Sequence, residues 1–128
     1  MTTRIAAAAV LCAALAGCGG SSGGGLFTLA KTRPCLNKNP GVKIDRKLDF
    51  VATTATGGAM HFRIPHNAVT LVFGETEDDA NNINDAYHRF KAKNVGLEDI
   101  IRQDRNAVIL YRQHPSDTDL SIVEDCLA

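Results

Sequence analysis

The chain has no tryptophan, and only two tyrosines and five phenylalanines. Stacking on sugar rings needs a platform of aromatic faces, so carbohydrate recognition of that kind is disfavoured. An excess of charge is also missing: 14 Lys and Arg stand against 14 Asp and Glu, interspersed along the sequence. Nucleic acid wants a clustered basic face, and adhesion to anionic lipid wants a polybasic segment; the composition predicts neither. No apolar run reaches the roughly 20 residues that carry a helix across a bilayer. Several familiar motifs are absent as well. There is no S-x-x-K serine signature, no H-E-x-x-H or H-x-x-x-H pair for zinc, and no close C-x-x-C for redox work. The D-x-[DN]-x-[DN]-G calcium loop is missing. Gly57-Gly58 does not make a phosphate loop, because no helix is expected after it. Metal and cofactor are therefore not expected. A small enzyme with dispersed residues stays open.

What is present begins at the N-terminus. Met1-Thr2-Thr3-Arg4 carries one basic side chain, and an uncharged, alanine-rich run follows from Ile5 to Leu15. At about 11 residues this run has the length of the apolar region of a secretory signal and is too short to span a membrane. It ends in Leu15-Ala16-Gly17-Cys18, an aliphatic residue, two small ones and a cysteine. This stretch resembles the lipobox of bacterial lipoproteins. The resemblance covers the first 18 residues and concerns processing only. It implies cleavage before Cys18, a diacylglyceryl group on the Cys18 thiol, and a chain held to the outer face of a membrane. Two or more acyl chains are what stable anchoring needs. Gly19 lacks the Asp that marks inner-membrane retention in hosts with two membranes, so an outer membrane is the expected address there. The competing readings are a plain secretory signal with Cys18 present by chance, or an alanine-rich helix of the folded part. The helix fails against Gly19-Gly20-Ser21-Ser22-Gly23-Gly24-Gly25, whose ordering would cost too much backbone entropy and bury nothing. A tether of this kind spans roughly 15 Å as a coil. The expected organisation is signal peptide 1–17, lipidated cysteine and tether 18–25, and one small domain 26–128.

The cysteines then sort themselves. Cys12 leaves with the signal and Cys18 takes lipid, which leaves Cys35 and Cys126 near the two ends of the domain. Outside the cytoplasm such a pair reads first as a disulfide. Two free thiols, or one catalytic cysteine, are the alternatives, and no histidine stands at a recognisable spacing from either.

Within the domain, Leu26, Leu29, Ala30, Cys35 and Leu36 suggest a helix over Leu26–Leu36 that Pro34 should end or kink. Asn37 to Gly41 is turn chemistry, and Val42 to Lys47 gives no clear period. From Leu48 the period becomes two: a first strand over Leu48–Thr53, a glycine turn at Gly57-Gly58, a second strand over Ala59–Ile64, and a third built on Val69, Leu71 and Phe73. Thr76 to Asp79 reads as a capping box that opens a helix with the stripe Ala80, Ile83, Ala86, Tyr87, Phe90, ending around Asn94 to Gly96. Ile100-Ile101 and Val108–Tyr111 flank a hairpin turn. Ser116-x-x-Asp119 opens the last helix, with Leu120, Val123 and Leu127 inward. The order α-β-β-β-α-β-β-α predicts an α+β domain of two layers, an antiparallel sheet of about five strands with helices on one face. The other face, carrying His61, Arg63, Thr70 and Arg112, should be open to a partner.

Two other groups invite a chemical reading. Glu75, Glu77, Asp78 and Asp79 form the densest carboxylate cluster, but a helix N-terminus attracts carboxylates for stability alone. His61, His66, His88 and His114 show no metal-ligand spacing, and His88 should lie at the edge of its helix stripe or in solvent. The sequence thus points to a non-catalytic envelope lipoprotein that binds a protein or small ligand. A small extracytoplasmic enzyme using histidine with the Glu75–Asp79 carboxylates, and a purely structural or inhibitory protein, are the alternatives.

Overall fold

Residues 25–90 and 96–128 are described by a computed structural model. The expected signal segment, the lipobox-like stretch with Cys18, and the expected tether up to residue 24 lie outside the described residues. The elements follow in the order α1 (Leu29–Lys38), β1 (Lys43–Asp45), α2 (Phe50–Thr53), β2 (Ala59–Ile64), β3 (Asn67–Phe73), α3 (Glu77–Phe90), α4 (Leu97–Ile100), β4 (Ile101–Asp104), β5 (Ala107–Tyr111) and α5 (Asp117–Glu124). The strands form one antiparallel sheet in the order β1-β2-β3-β5-β4. The α+β class and the five-stranded antiparallel sheet are as the sequence predicts.

Period two works on β2, where Met60, Phe62 and Ile64 are buried. On β3 the run Val69 to Phe73 is buried throughout. β5 behaves in the same way. Ala107-Val108-Ile109-Leu110-Tyr111 is buried at every position, and such an unbroken apolar run signals a strand covered on both faces. The helices divide accordingly. On one side Asn67 reaches Asp119 of α5. On the other, Gln103 bonds Asn81 and Asn84 of α3, which buries Ala80, Ile83 and Tyr87 and packs on β3 and β5. The layering is thus helix, sheet, helix, and not helices on one face alone.

Three local differences have physical causes. The stretch over 48–53 is no strand: the Asp49 carboxylate accepts the Ala52 N–H at 2.8 Å and caps α2. Neighbouring Val51 and Ala52 are both buried while Phe50 is 74% exposed, which is helical and not alternating. The first strand is instead β1, in the stretch without a clear period. Gly57-Gly58 accordingly joins a helix to a strand; Gly58 has φ +85°, and a Cβ on Gly57 would stand 2.6 Å from the Phe73 carbonyl. Lastly, α1 starts at the Thr28 cap and runs through Pro34 to Lys38. Pro34 cannot donate to Ala30, but Ala30 is on the exposed side, where water can take its carbonyl.

Beyond Pro34, α1 is held by buried Leu36 and by a disulfide between Cys35 and Cys126, with Cα atoms 5.4 Å apart and a separation of 91 positions in sequence. Thr28 N–H donates to the Ala128 carbonyl at 2.8 Å and Ala128 N–H to Thr32 Oγ1 at 3.1 Å. The start of α1 and the segment after α5 are therefore stitched together.

Candidate functional site

Strand register, more than sequence proximity, gathers the charged residues. Lys43 on β1 stands directly opposite Arg63 on β2, and Arg63 opposite Ala68 on β3. The Arg112 N–H donates to the Ala68 carbonyl at 2.8 Å, so the same row continues past the end of β5. One line across four strands thus reads Lys, Arg, Ala, Arg. Like charges facing each other across a ladder destabilise a sheet. Among the described residues no ion pair relieves Lys43, Arg63 or Arg112, all three of which are exposed. The Ala68 methyl is too small to fill the space between the two guanidinium groups. A cleft of about 500 Å³ opens there, lined by Lys43, Arg63, His66, Ala68, Arg112 and Gln113 among others.

The walls are well fixed. Asn67 Nδ2 donates to Asp119 Oδ2 and to the Gln113 carbonyl, both at 3.1 Å. Gln113 Nε2 donates to the His66 carbonyl at 2.8 Å. Asp119 also closes the Ser116 capping box, so the start of α5 clamps the β2–β3 turn. Its carboxylate is consumed in that clamp and does not neutralise the cleft.

The next row inward reads Asp45, His61, Thr70. His61 presents Nδ1 to Asp45 Oδ1 at 2.6 Å, and Lys47 N–H donates to the same oxygen at 2.9 Å. The Lys47 N–H, then the His61 ring and the Arg63 charge, hold the Asp45 carboxyl below the usual carboxylate range. Behind this pair lies a smaller hollow of about 250 Å³ bounded by Asp49, His61, Ala68, Thr70, Leu110 and Arg112. It shares Ala68 and Arg112 with the basic cleft. Asp49 accepts from Tyr87 Oη at 3.0 and 3.1 Å. Burial first, and the Asp49 charge second, push the Tyr87 phenol well above its ordinary range.

Of the expected face, His61, Arg63 and Arg112 do come together. Thr70 does not join the exposed set: it is only 9% exposed, because helices cover that side of β3. Lys43, His66 and Asp45 belong to the site and were not among the expected residues. Lys43 sits in the stretch without a readable period, so only the β1–β2 pairing reveals it. Glu75, Glu77 and Asp78 are exposed at the start of α3, and Asp79 exchanges cap bonds with Thr76. No hydrogen bond joins these four carboxylates to a histidine among the described residues. His88 pairs with Asn84 and Glu98, far along α3, and His114 is exposed. Among the described residues no three His, Cys, Asp or Glu side chains form a metal cage. Compared with known protein families, curated proteins and solved structures, the chain matches none, so its chemistry has to be read from its own residues.

Proposed function

We propose that the protein is a lipid-anchored, extracytoplasmic binding module, without catalysis, whose basic cleft holds an anionic partner. The observation that carries the binding role is the unpaired row of Lys43, Arg63 and Arg112 across four strands. A fold that sets these cations side by side, with the Asp45 carboxylate acting on Arg63, is set up to gain energy when an anion arrives. The address rests on the lipobox resemblance at Cys18, and a disulfide between Cys35 and Cys126 suits an oxidising compartment.

Two experiments test the two halves. An alkyne fatty acid fed to the expressing cell should label the wild-type chain and not the Cys18→Ala variant; equal labelling of both would remove the anchor. For the cleft, the triple variant Lys43→Glu/Arg63→Glu/Arg112→Glu should elute from a sulfonate matrix at much lower salt than a control. The control is Lys31→Glu/Arg33→Glu/Arg89→Glu, equal in net charge and changed on exposed helix positions. Identical elution of the two would mean that the cleft is not a site.

One observation favours a second reading, a small hydrolase. His61 is oriented by Asp45 and borders the smaller hollow that adjoins the cleft at Ala68 and Arg112, an arrangement that suits a general base. Turnover of chromogenic phosphoesters or carboxylate esters that His61→Gln abolishes, with the fold intact, would establish it. A flat response across such substrates leaves the binding role.

A further inference from the structure

We infer that the cleft takes a linear polyanion carrying phosphate groups along its length, and takes it from the side facing away from the anchoring membrane. Two features carry this, and the second rests on the anchored reading above.

The first is the layout of charge. Neighbouring strands lie roughly 5 Å apart, so Lys43 and Arg63 are separated by about that distance, while Arg112 lies two strands, roughly 10 Å, beyond Arg63. At the backbone the row runs roughly 15 Å from Lys43 to Arg112, longer than one phosphate group. A chain that repeats its charge every few ångströms can lie across the whole row, over the hollow that Ala68 leaves. The cleft contains no aromatic ring on which a base could stack other than the His66 imidazole at its rim, and no deep apolar pocket to anchor a peptide side chain. It recognises charge and spacing. Arg guanidinium forks and a Lys point charge are the usual partners of phosphate oxygens. The nearest carboxylates are already engaged: Asp45 by Lys47 and His61, and Asp119 by Asn67 and Ser116.

The second feature is where the tether joins. The Gly25 carbonyl accepts from Arg105 at 2.8 Å, and the Phe27 backbone exchanges bonds with Asn106 at 2.7 and 2.8 Å. Arg105 and Asn106 form the β4–β5 turn, beside Phe73 and Gly74. The cleft lies at the other end of β3, at Ala68 and the β2–β3 turn. The seven residues of β3 separate the two ends by roughly 20 Å. The tether end carries Glu75 and Arg105, of opposite sign, whereas among the described residues no carboxylate lines the cleft, whose charged lining residues are Lys43, Arg63 and Arg112. A domain held by its tether end presents its cations outward.

The test uses the lipidated protein reconstituted into neutral phosphatidylcholine vesicles, beside the unlipidated mature chain, residues 18–128 with Cys18→Ser. Both are titrated with long-chain polyphosphate, with polyglutamate, and with free orthophosphate. Both forms should bind polyphosphate with affinities within about twofold, more tightly than polyglutamate or orthophosphate. The triple charge-reversal variant should lose about tenfold or more in affinity. The unlipidated chain should sediment with phosphatidylglycerol vesicles no better than the triple variant does. Preference for polyglutamate, or for the vesicles, overturns the ligand class. Binding by the unlipidated chain that disappears on anchoring overturns the outward orientation alone. If neither form binds polyphosphate and the triple variant also elutes with its charge-matched control, the cleft itself is wrong.

Discussion

Two tyrosines, both almost wholly buried, separate what a hydroxyl contributes from what a ring contributes. Tyr87 Oη donates to the Asp49 carboxylate, whereas Tyr111 Oη has no hydrogen-bond partner among the described residues. A bond to a charged acceptor contributes about 1.5–3 kcal/mol, and an unmet buried hydroxyl costs free energy. Tyr87→Phe should therefore lower unfolding stability by about 2 kcal/mol, while Tyr111→Phe should leave it unchanged or raise it. Urea melts of the two variants against wild type check this, and the reverse order would show that the Asp49 contact is not formed in solution. Neither role is visible in the sequence, where both residues are simply apolar-stripe positions. Asn106 is hidden in the same way. It looks like turn chemistry, yet it is 1% exposed and its amide serves Phe27 and Gly74 across 79 and 32 residues. Partners that distant leave no local pattern to read.

Elements were legible where capping and periodicity agreed. Thr76 with Asp79 and Ser116 with Asp119 both form the reciprocal bonds that their spacing announces. Leu48–Thr53 was misread because Asp49 can cap a helix as easily as it can face out from a strand, and six residues do not separate the two periods. The step from β3 into α3 is tighter than a glycine between two elements suggests. A Cβ on Gly74 would lie 2.6 Å from the Thr76 carbonyl and 2.7 Å from the Ala80 nitrogen. Gly74→Ala should thus cost about 2 kcal/mol or more in a chemical melt, since the backbone itself must move. The far end of α3 carries a pH-dependent contact. His88 takes the Asn84 carbonyl on Nδ1 and Glu98 of α4 on Nε2 at 3.2 Å, and these, the carbonyl first, raise its pKa. A raised value means that the contribution is complete below the unfolded histidine pKa and is lost as pH rises through the folded one. An NMR titration of the His88 ring should give a midpoint above that of the denatured chain, and Glu98→Gln should lower it. A midpoint that ignores Glu98 would mean that α4 is not held by this pair.

At the scale of the molecule, the charge pattern explains how much of the site could be foreseen. Net charge is zero and the cations are dispersed, which argued against any basic face. Residues 43, 63 and 112 nevertheless become neighbours because strand pairing aligns them, and that alignment depends on a three-residue edge strand with no readable period. His61 and Arg63 were foreseeable from outward parity on β2, and Arg112 from its place just past the apolar run of β5; Lys43 was not. The cysteine pair was foreseeable once the lipobox resemblance set Cys12 and Cys18 aside. Closing a loop of 91 residues contributes roughly 4–5 kcal/mol by loop-closure entropy. Reduction, or the double variant Cys35→Ser/Cys126→Ser, should lower stability by up to that amount, as measured by the urea midpoint with and without reductant. No change would show that the bond does not form.

That bond also bears on mechanics. If the chain is anchored as proposed and a bound polymer drags on the domain, the opposing pull enters at Gly25. It can peel α1 from its first turn, but only as far as Cys35. From there the force divides between two covalent routes, one forward toward β1 and one across the sulfurs into α5. Lys43, Arg63 and Arg112 all lie inside the ring those routes enclose. A steady tug would therefore tighten a loop around the cleft instead of unzipping the sheet from its weakest edge.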